Sequence, residues 1–352
     1  MDNLNSLSND DIPHSTSQYL RENEFAFSLP REKDEAFAKF VGARAIRKQT
    51  VFAMLVDKFR QATFGSLRYF YAVVREFESL KKLSALRSSK IGKRALVLGN
   101  GPSLGYLSSS QIKRFQEFGG ELFAVNFWTS TLHAGVIPDY LVISDGVSLI
   151  DRSSKFGEMQ SEDVKKKNEL LCAFLHTNKL IKIICPLARV KELANQFGSH
   201  RIIGFVDHEM RGITANIDPR YPRGYVSMTL FKALAISIHM GYEEICVLGM
   251  DNTFPRDVFC DCNNTIFRIE RHAGEDNVLF DQTAYYPSMD VWAQDLFDLF
   301  LDLHRCFKGY PVLNLDPYSL TDVFRKIDGF GSIELALRIV ESSIDNHQLK
   351  QD

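Results

Sequence analysis

Nowhere in the 352 residues does an apolar run reach the roughly 18 that a membrane-spanning helix needs. The first residues show no positively charged segment leading into an apolar core, so no signal peptide is expected. Cysteine is sparse: six are scattered along the chain, and only Cys260-Asp261-Cys262 forms a close pair. A small disulfide-stapled secreted domain does not look like this, and reduced thiols in a cytosol are expected. The single residue between those two cysteines is also too short a spacing for a structural zinc site, even with His272 nearby, so no metal is expected. A Gly-x-x-x-x-Gly-Lys-Ser/Thr run is missing, which argues against a P-loop kinase. Heptads and internal repeats are missing too, which argues against coiled coils and solenoids.

What is present is an ordinary globular composition, 45% hydrophobic and 24% charged, at a length that suits one large α/β domain with an appendage. The net charge of −2 conceals an asymmetry. Residues 31–94 hold 16 Lys and Arg against 6 Asp and Glu, a net of +10, which leaves −12 for the remainder. Residues 1–30 are polar and read as a disordered tail. Residues 31–93 read as a basic helical region, because Phe37, Phe40 and Val41, then Phe52, Leu55, Val56 and Phe59, then Tyr69, Val73 and Phe77 recur at helical spacing. Such a region is either a cap packed on the following domain or a platform for a membrane surface or partner. Residues 331–352 read as a C-terminal helix and tail.

Between them, residues 94–330 alternate short apolar strands with helices. Strands are expected at Arg94–Leu98, Leu122–Val125, Tyr140–Ile143, Leu180–Cys185, 201–206, Ile245–Leu248 and Pro311–Leu315. A helix is expected from Ser227 to Met240 with Gly241 closing it, and a later one around Trp292, Leu296, Phe300 and Leu303. The fold class is therefore α/β: a Rossmann-like, mainly parallel sheet with helices on both faces, preceded by the helical N-terminal region. Residues 252–290 read as a long loop suited to be a lid over an acceptor.

Several strands run out onto Asn100, Asn126, Asp145, Asp251 and Asn314. Each alone is a natural turn former. Together they would share the carboxyl edge of a parallel sheet, where ligands of open α/β folds bind. The sharpest signal is Gly99-Asn100-Gly101-Pro102-Ser103, directly after an apolar strand. Small residues there would let backbone N–H groups approach a phosphate, with side-chain bonds from Asn100 and Ser103. Ser227, at an expected helix start, would be a second anion contact or a plain N-cap.

These segments resemble, in matching order over about residues 94–325, the bacterial sialyltransferases that use CMP-activated nonulosonic acids. The related Maf flagellin glycosyltransferases and archaeal hydroxymethylpterin pyrophosphokinase-like proteins share the Gly-Pro-Ser-Leu turn. The matching segments are Leu98–Leu104, Phe123–Asn126, Ile137–Tyr140 leading to Ser144-Asp145, Val226–Met228, Gly241–Ile245, Gly249–Asp251, and Asn314–Leu320 followed by Val323-Phe324. The resemblance implies a glycosyltransferase acting on a CMP-sugar donor and a surface glycan or protein acceptor. It implies nucleotide contacts from Gly99, Asn100, Gly101, Pro102, Ser103, Asn126, Asp145 and Ser227. Its catalytic general base would be the first histidine after Asp251, which is His272. Tyr285 and Tyr286 would assist departure of CMP; beside Pro287 they also suit simple packing, as His272 suits a surface loop. Asp251 completes the catalytic set. CMP carries one phosphate, and Asp139 and Asp145 do not form an Asp-x-Asp pair, so no cofactor is expected beyond the donor substrate. No nucleic-acid partner is expected, and the basic helices would allow peripheral contact with an anionic inner membrane. The alternatives are a pterin-type pyrophosphokinase needing ATP and clustered acids, and a non-catalytic nucleotide- or glycan-binding module.

Overall fold

The computed structural model describes residues 66–326 apart from 146–147, 150–161, 252–257, 261–265, 271–277 and 282–288, together with positions 56, 59 and 63. The expected tail at 1–30, most of the segment 31–65 and the C-terminal segment 331–352 lie outside the described residues.

In chain order the elements are α1 (Ser66–Arg75), α2 (Phe77–Ala85), β1 (Arg94–Leu98), α3 (Ser109–Glu117), β2 (Glu121–Val125), β3 (Tyr140–Val142), α4 (Glu162–Thr177), β4 (Lys182–Pro186), α5 (Val190–Phe197), β5 (Ile202–Phe205), α6 (Thr229–Met240), β6 (Glu244–Leu248), β7 (Val258–Cys260), β8 (Ile266–Glu270), β9 (Val278–Asp281), α7 (Met289–Phe307), β10 (Val312–Asn314) and β11 (Arg325–Lys326). Eight strands form one sheet in the order β11-β10-β6-β1-β2-β3-β4-β5. Every pairing in it is parallel. The chain therefore lays down β1 to β5 in one direction, then returns to the other side of β1 for β6, β10 and β11. That reversal makes the β1/β6 junction the topological switch point of the sheet.

Alternate residues of each strand feed opposite faces. Leu96, Leu98, Leu122 and Ala124 join Ile112, Phe115, Leu171, Leu175 and Leu193 of α3, α4 and α5 in one buried layer. Ala95, Val97, Phe123 and Val125 join Phe231, Leu234, Leu299, Leu303 and Phe307 of α6 and α7 in the other. Because both faces are covered, the strands read as continuous apolar runs, which is why they were visible in the sequence.

The helical N-terminal region, in its described part, is a cap on this core. Tyr69, Ala72 and Val73 of α1 pack against the first layer, and Leu83 of α2 is buried in the second. Ser79 Oγ accepts the N–H of Gly204 at 2.7 Å, so α2 supplies a side-chain acceptor to the edge strand β5. One expectation is corrected. The segment 252–290 is not simply a loop, because β7, β8 and β9 within it form an antiparallel three-stranded sheet. Strands of three to five residues separated by polar residues are too short for period-2 alternation to stand out.

The loops after β1 and β6 touch backbone to backbone. A Cβ on Gly99 would lie 2.4 Å from the carbonyl oxygen of Gly249, and one on Gly249 would lie 2.6 Å from that of Gly99. Gly249 also sits at φ +76°. Gly249→Ala should therefore lower the unfolding free energy by about 2 kcal/mol or more, from strain plus collision. Gly309→Ala, at φ +91° with open space around it, should cost only about 1 kcal/mol. Urea denaturation of the two variants measures the difference; equal losses would mean that the close approach contributes nothing.

Candidate functional site

Asn100, Asn126, Asp145 and Asp251 follow the carboxyl ends of β1, β2, β3 and β6, and Asn314 is the last residue of β10; these are five contiguous strands of the sheet. At about 4.8 Å between strands, this rim is roughly 19 Å wide.

At the switch point the glycine turn forms an internal brace. The N–H of Gly99 donates to the Leu248 carbonyl at 2.8 Å, and that of Gly101 to the Gly249 carbonyl at 3.2 Å. Ser103 N–H donates to Asp251 Oδ1 at 2.9 Å, its hydroxyl donates to Asp251 Oδ2 at 3.0 Å, and its Oγ accepts the Gly249 N–H at 3.0 Å. A Cβ on Gly101 would strike the Asp251 carboxylate at 2.0 Å. Gly99, Gly101 and Ser103 thus spend their space and donors on holding the β1 loop against the β6 loop. Pro102 opens the short 3-10 turn Pro102–Tyr106 that carries Ser103. The closing segment completes the brace: Ser319 Oγ donates to the Met250 carbonyl at 2.6 Å, and the Leu320 N–H to the Asp251 carbonyl at 3.0 Å. Three motifs distant in sequence therefore interlock. Burial raises Asp251 above the ordinary aspartate range, and nearby Asp316 adds to the shift, against the opposing bonds from Ser103.

Asn314 accepts the Asp316 N–H at 3.1 Å in a local turn and is fully buried, so it behaves as a turn former. The Asn100 side-chain oxygen and Asn314 Nδ2 are both buried with no hydrogen-bond partner among the described residues.

A second cluster lies at the ends of β2, β3 and β5 and the start of α6. Asn126 adopts φ +45°, a left-handed conformation that asparagine tolerates. Its side-chain oxygen accepts the N–H groups of Ser144 and Asp145, each at 3.3 Å, and its Nδ2 donates to Thr229 Oγ1 at 3.0 Å. Ser144 Oγ and Thr229 Oγ1 are 2.7 Å apart. Lys232 Nζ donates to Ser144 Oγ at 3.0 Å, Ser227 Oγ at 3.0 Å and Asp207 Oδ2 at 2.7 Å. Arg223 joins Asp207 and Glu209, each at 2.9 Å. Helix α6 begins at Thr229 with Met228 as its N-cap, so Ser227 is not the cap expected from the sequence. It is exposed, and its place comes from Lys232. Burial alone would raise the Asp207 carboxyl, but the adjacent Lys232 and Arg223 charges outweigh it and hold it below the usual range. Burial outweighs Asp207 at Lys232 and lowers it.

The structure thus brings Asn126, Asp145 and Ser227 into one neighbourhood, beside the Asn100, Ser103 and Asp251 loops on the same rim. His272, Tyr285 and Tyr286 lie outside the described residues. Sequence reading singled out none of Lys232, Thr229, Asp207 and Arg223, and it named Ser144 only within the segment leading to Asp145. One signal was available: Lys232 is the only Lys, Arg, Asp or Glu in α6, ten of whose twelve residues are buried.

No protein-family model matches the chain, and no curated protein matches it. Among solved structures it is similar to the Maf glycosyltransferase from Magnetospirillum magneticum AMB-1, with a TM-score of 0.41 and 12% identity, over 72% of this chain and 38% of that one. The chain thus spans well under half of that protein's length.

Asp207 is the anion shared by two buried cations, so Asp207→Asn should cost about 3 kcal/mol of stability. Its folded-state pKa is depressed. Its contribution is therefore fully present above about pH 4 and is lost as pH falls through the folded value. Urea midpoints measured from pH 7 down to pH 3 should show a shallower acid decline in the variant than in the wild type; parallel curves would remove Asp207 from the acid transition.

Proposed function

We propose that the chain is a glycosyltransferase that moves a sialic-acid-like sugar from a CMP donor to a bacterial surface glycan or protein. The reading is supported by the motif resemblance and, above all, by one observation: Asn100, Asn126, Asp145 and Asp251, after the four contiguous strands β1, β2, β3 and β6, lie on the rim that holds the switch point. In this reading Gly99, Gly101, Pro102 and Ser103 shape the rim through Asp251. Asn100 meets the nucleobase, and Asn126, Asp145 and Ser227 meet the ribose and phosphate. The unsatisfied oxygen of Asn100 costs about 1–3 kcal/mol, which a base amino group would recover once the amide turns toward it. His272 takes the proton from the acceptor hydroxyl as the anomeric carbon of the donor becomes cationic. Tyr285 and Tyr286 donate to the departing phosphate.

A second reading, phosphoryl transfer from ATP to a pterin, is favoured by one feature. Asp316 lies near enough to Asp251 for its charge to add to the rise of the Asp251 carboxyl, so two acidic side chains are close together at the switch point. Calorimetry with CMP, UMP and ATP separates the readings. CMP is expected to bind best, with Asn100→Ala at least 10-fold weaker and still folded; preference for ATP would replace the donor assignment. Mass spectrometry of reactions with CMP-, UDP- and GDP-sugars then names the donor, and turnover with none of them favours a binding module.

The proposed setting is the cytoplasmic face of the inner membrane. No described helix is long and apolar enough to cross a membrane. Leu67, Phe70, Tyr71, Val74 and Phe77 are each more than half exposed, at helical spacing within the segment of net charge +10. Sedimentation with phosphatidylglycerol vesicles should exceed that with phosphatidylcholine vesicles and fall in a Leu67→Ser/Phe70→Ser variant. Equal recovery with both lipids would argue for a purely soluble enzyme.

A further inference from the structure

We infer that Lys232 is a positioning residue that orients the hydroxyls of Ser144, Thr229 and Ser227 as hydrogen-bond donors, and that these hydroxyls with Asn126 form a phosphate subsite. The inference deepens the nucleotide reading above and rests on it.

The argument is a count of hydrogens. An ammonium has three N–H donors and accepts nothing. Those of Lys232 go to Asp207, Ser144 and Ser227, so both serine oxygens are acceptors toward it. From the other side, the Asn126 oxygen is fixed by two backbone N–H groups, which turns its NH₂ to donate to Thr229. A donor therefore enters the Ser144–Thr229 pair from each end. Only one hydrogen can lie between two oxygens 2.7 Å apart. The remaining hydroxyl hydrogen of the pair has no acceptor among the described residues. The Ser227 hydroxyl hydrogen and the second amide hydrogen of Asn126 are in the same position.

These residues are exposed or half-buried at the rim, whereas Lys232 is 1% exposed behind them. The cluster therefore presents several hydrogens outward, backed by a buried cation held by Asp207. A ligand rich in acceptors, such as a phosphate, fits this set; a neutral sugar hydroxyl, which must also donate, fits it less well. Stability does not account for the arrangement, because a buried ion pair adds little over apolar packing of the same volume. Leucine-like packing at position 232 would suit an otherwise apolar helix.

The test compares CMP with cytidine by calorimetry, so that the phosphate is the only difference. Lys232→Met is expected to bind cytidine as the wild type does and CMP at least 10-fold more weakly. A Thr229→Val/Ser227→Ala variant, which keeps the buried lysine, should lose CMP preference in the same direction and decides the matter if Lys232→Met does not fold. A merely structural lysine would weaken both ligands alike; an unchanged CMP-to-cytidine ratio in the folded variants overturns the inference. AMP, ATP and inorganic phosphate form the control arms. If the wild type prefers an adenine nucleotide, and the variants lose its phosphate-dependent affinity, the subsite stands and the CMP assignment falls. If the wild type binds none of these phosphate-bearing probes, both fall.

Discussion

The contact on which the rest of the rim depends is the meeting of two backbones at Gly99 and Gly249. Parallel strands β1 and β6 leave the sheet side by side, and their loops would collide if either glycine carried a side chain. Once the loops meet, Asp251 can reach under the β1 turn to take both the N–H and the hydroxyl of Ser103. The Asn314–Leu320 segment then closes on Met250 and Asp251. None of these bonds is local in sequence, so each segment is held in place by the other two. A half-buried carboxylate is tolerated there because its acceptors are met by Ser103, although burial and Asp316 still make its charged form expensive.

Next to this apolar-backed brace lies a polar network of different character. Asp207, Lys232, Arg223 and Glu209 place two cations and two anions behind the strand ends. They set the direction in which neighbouring hydroxyls can donate. The rim is therefore divided: the β1/β6 half is spent on internal bonding, and the β2/β3/α6 half keeps donors free.

The sheet was legible in the sequence because its strands are buried on both faces and so stand out as short apolar runs. Arg94–Leu98, Glu121–Val125 and Glu244–Leu248 were found nearly to the residue. Gly241, at φ +80°, ended α6 as its position suggested. The strand-end polar residues were legible too, since turn formers after apolar runs mark the carboxyl edge. What Gly99, Gly101 and Ser103 do there was not legible. Phosphate contact and loop-to-loop contact both demand small residues, and only the partner across the switch point distinguishes them. The Lys232 network was hidden for a related reason. Its members Asn126, Ser144, Asp207, Ser227 and Lys232 come from four separate stretches of chain and become a unit only when β2, β3, β5 and α6 are stacked. The small sheet of β7, β8 and β9 escaped because its strands are brief and interrupted by polar residues.

The helices before the sheet have a consequence for how the molecule keeps to itself. Among the described residues, one margin of the sheet is the two-residue strand β11. The opposite margin, β5, meets α2, whose Ser79 occupies the N–H of Gly204. A protein trimmed to begin at Arg94 would bare that margin of four buried residues and invite strand-to-strand stacking between molecules. Helix α2 thus guards that margin against self-association.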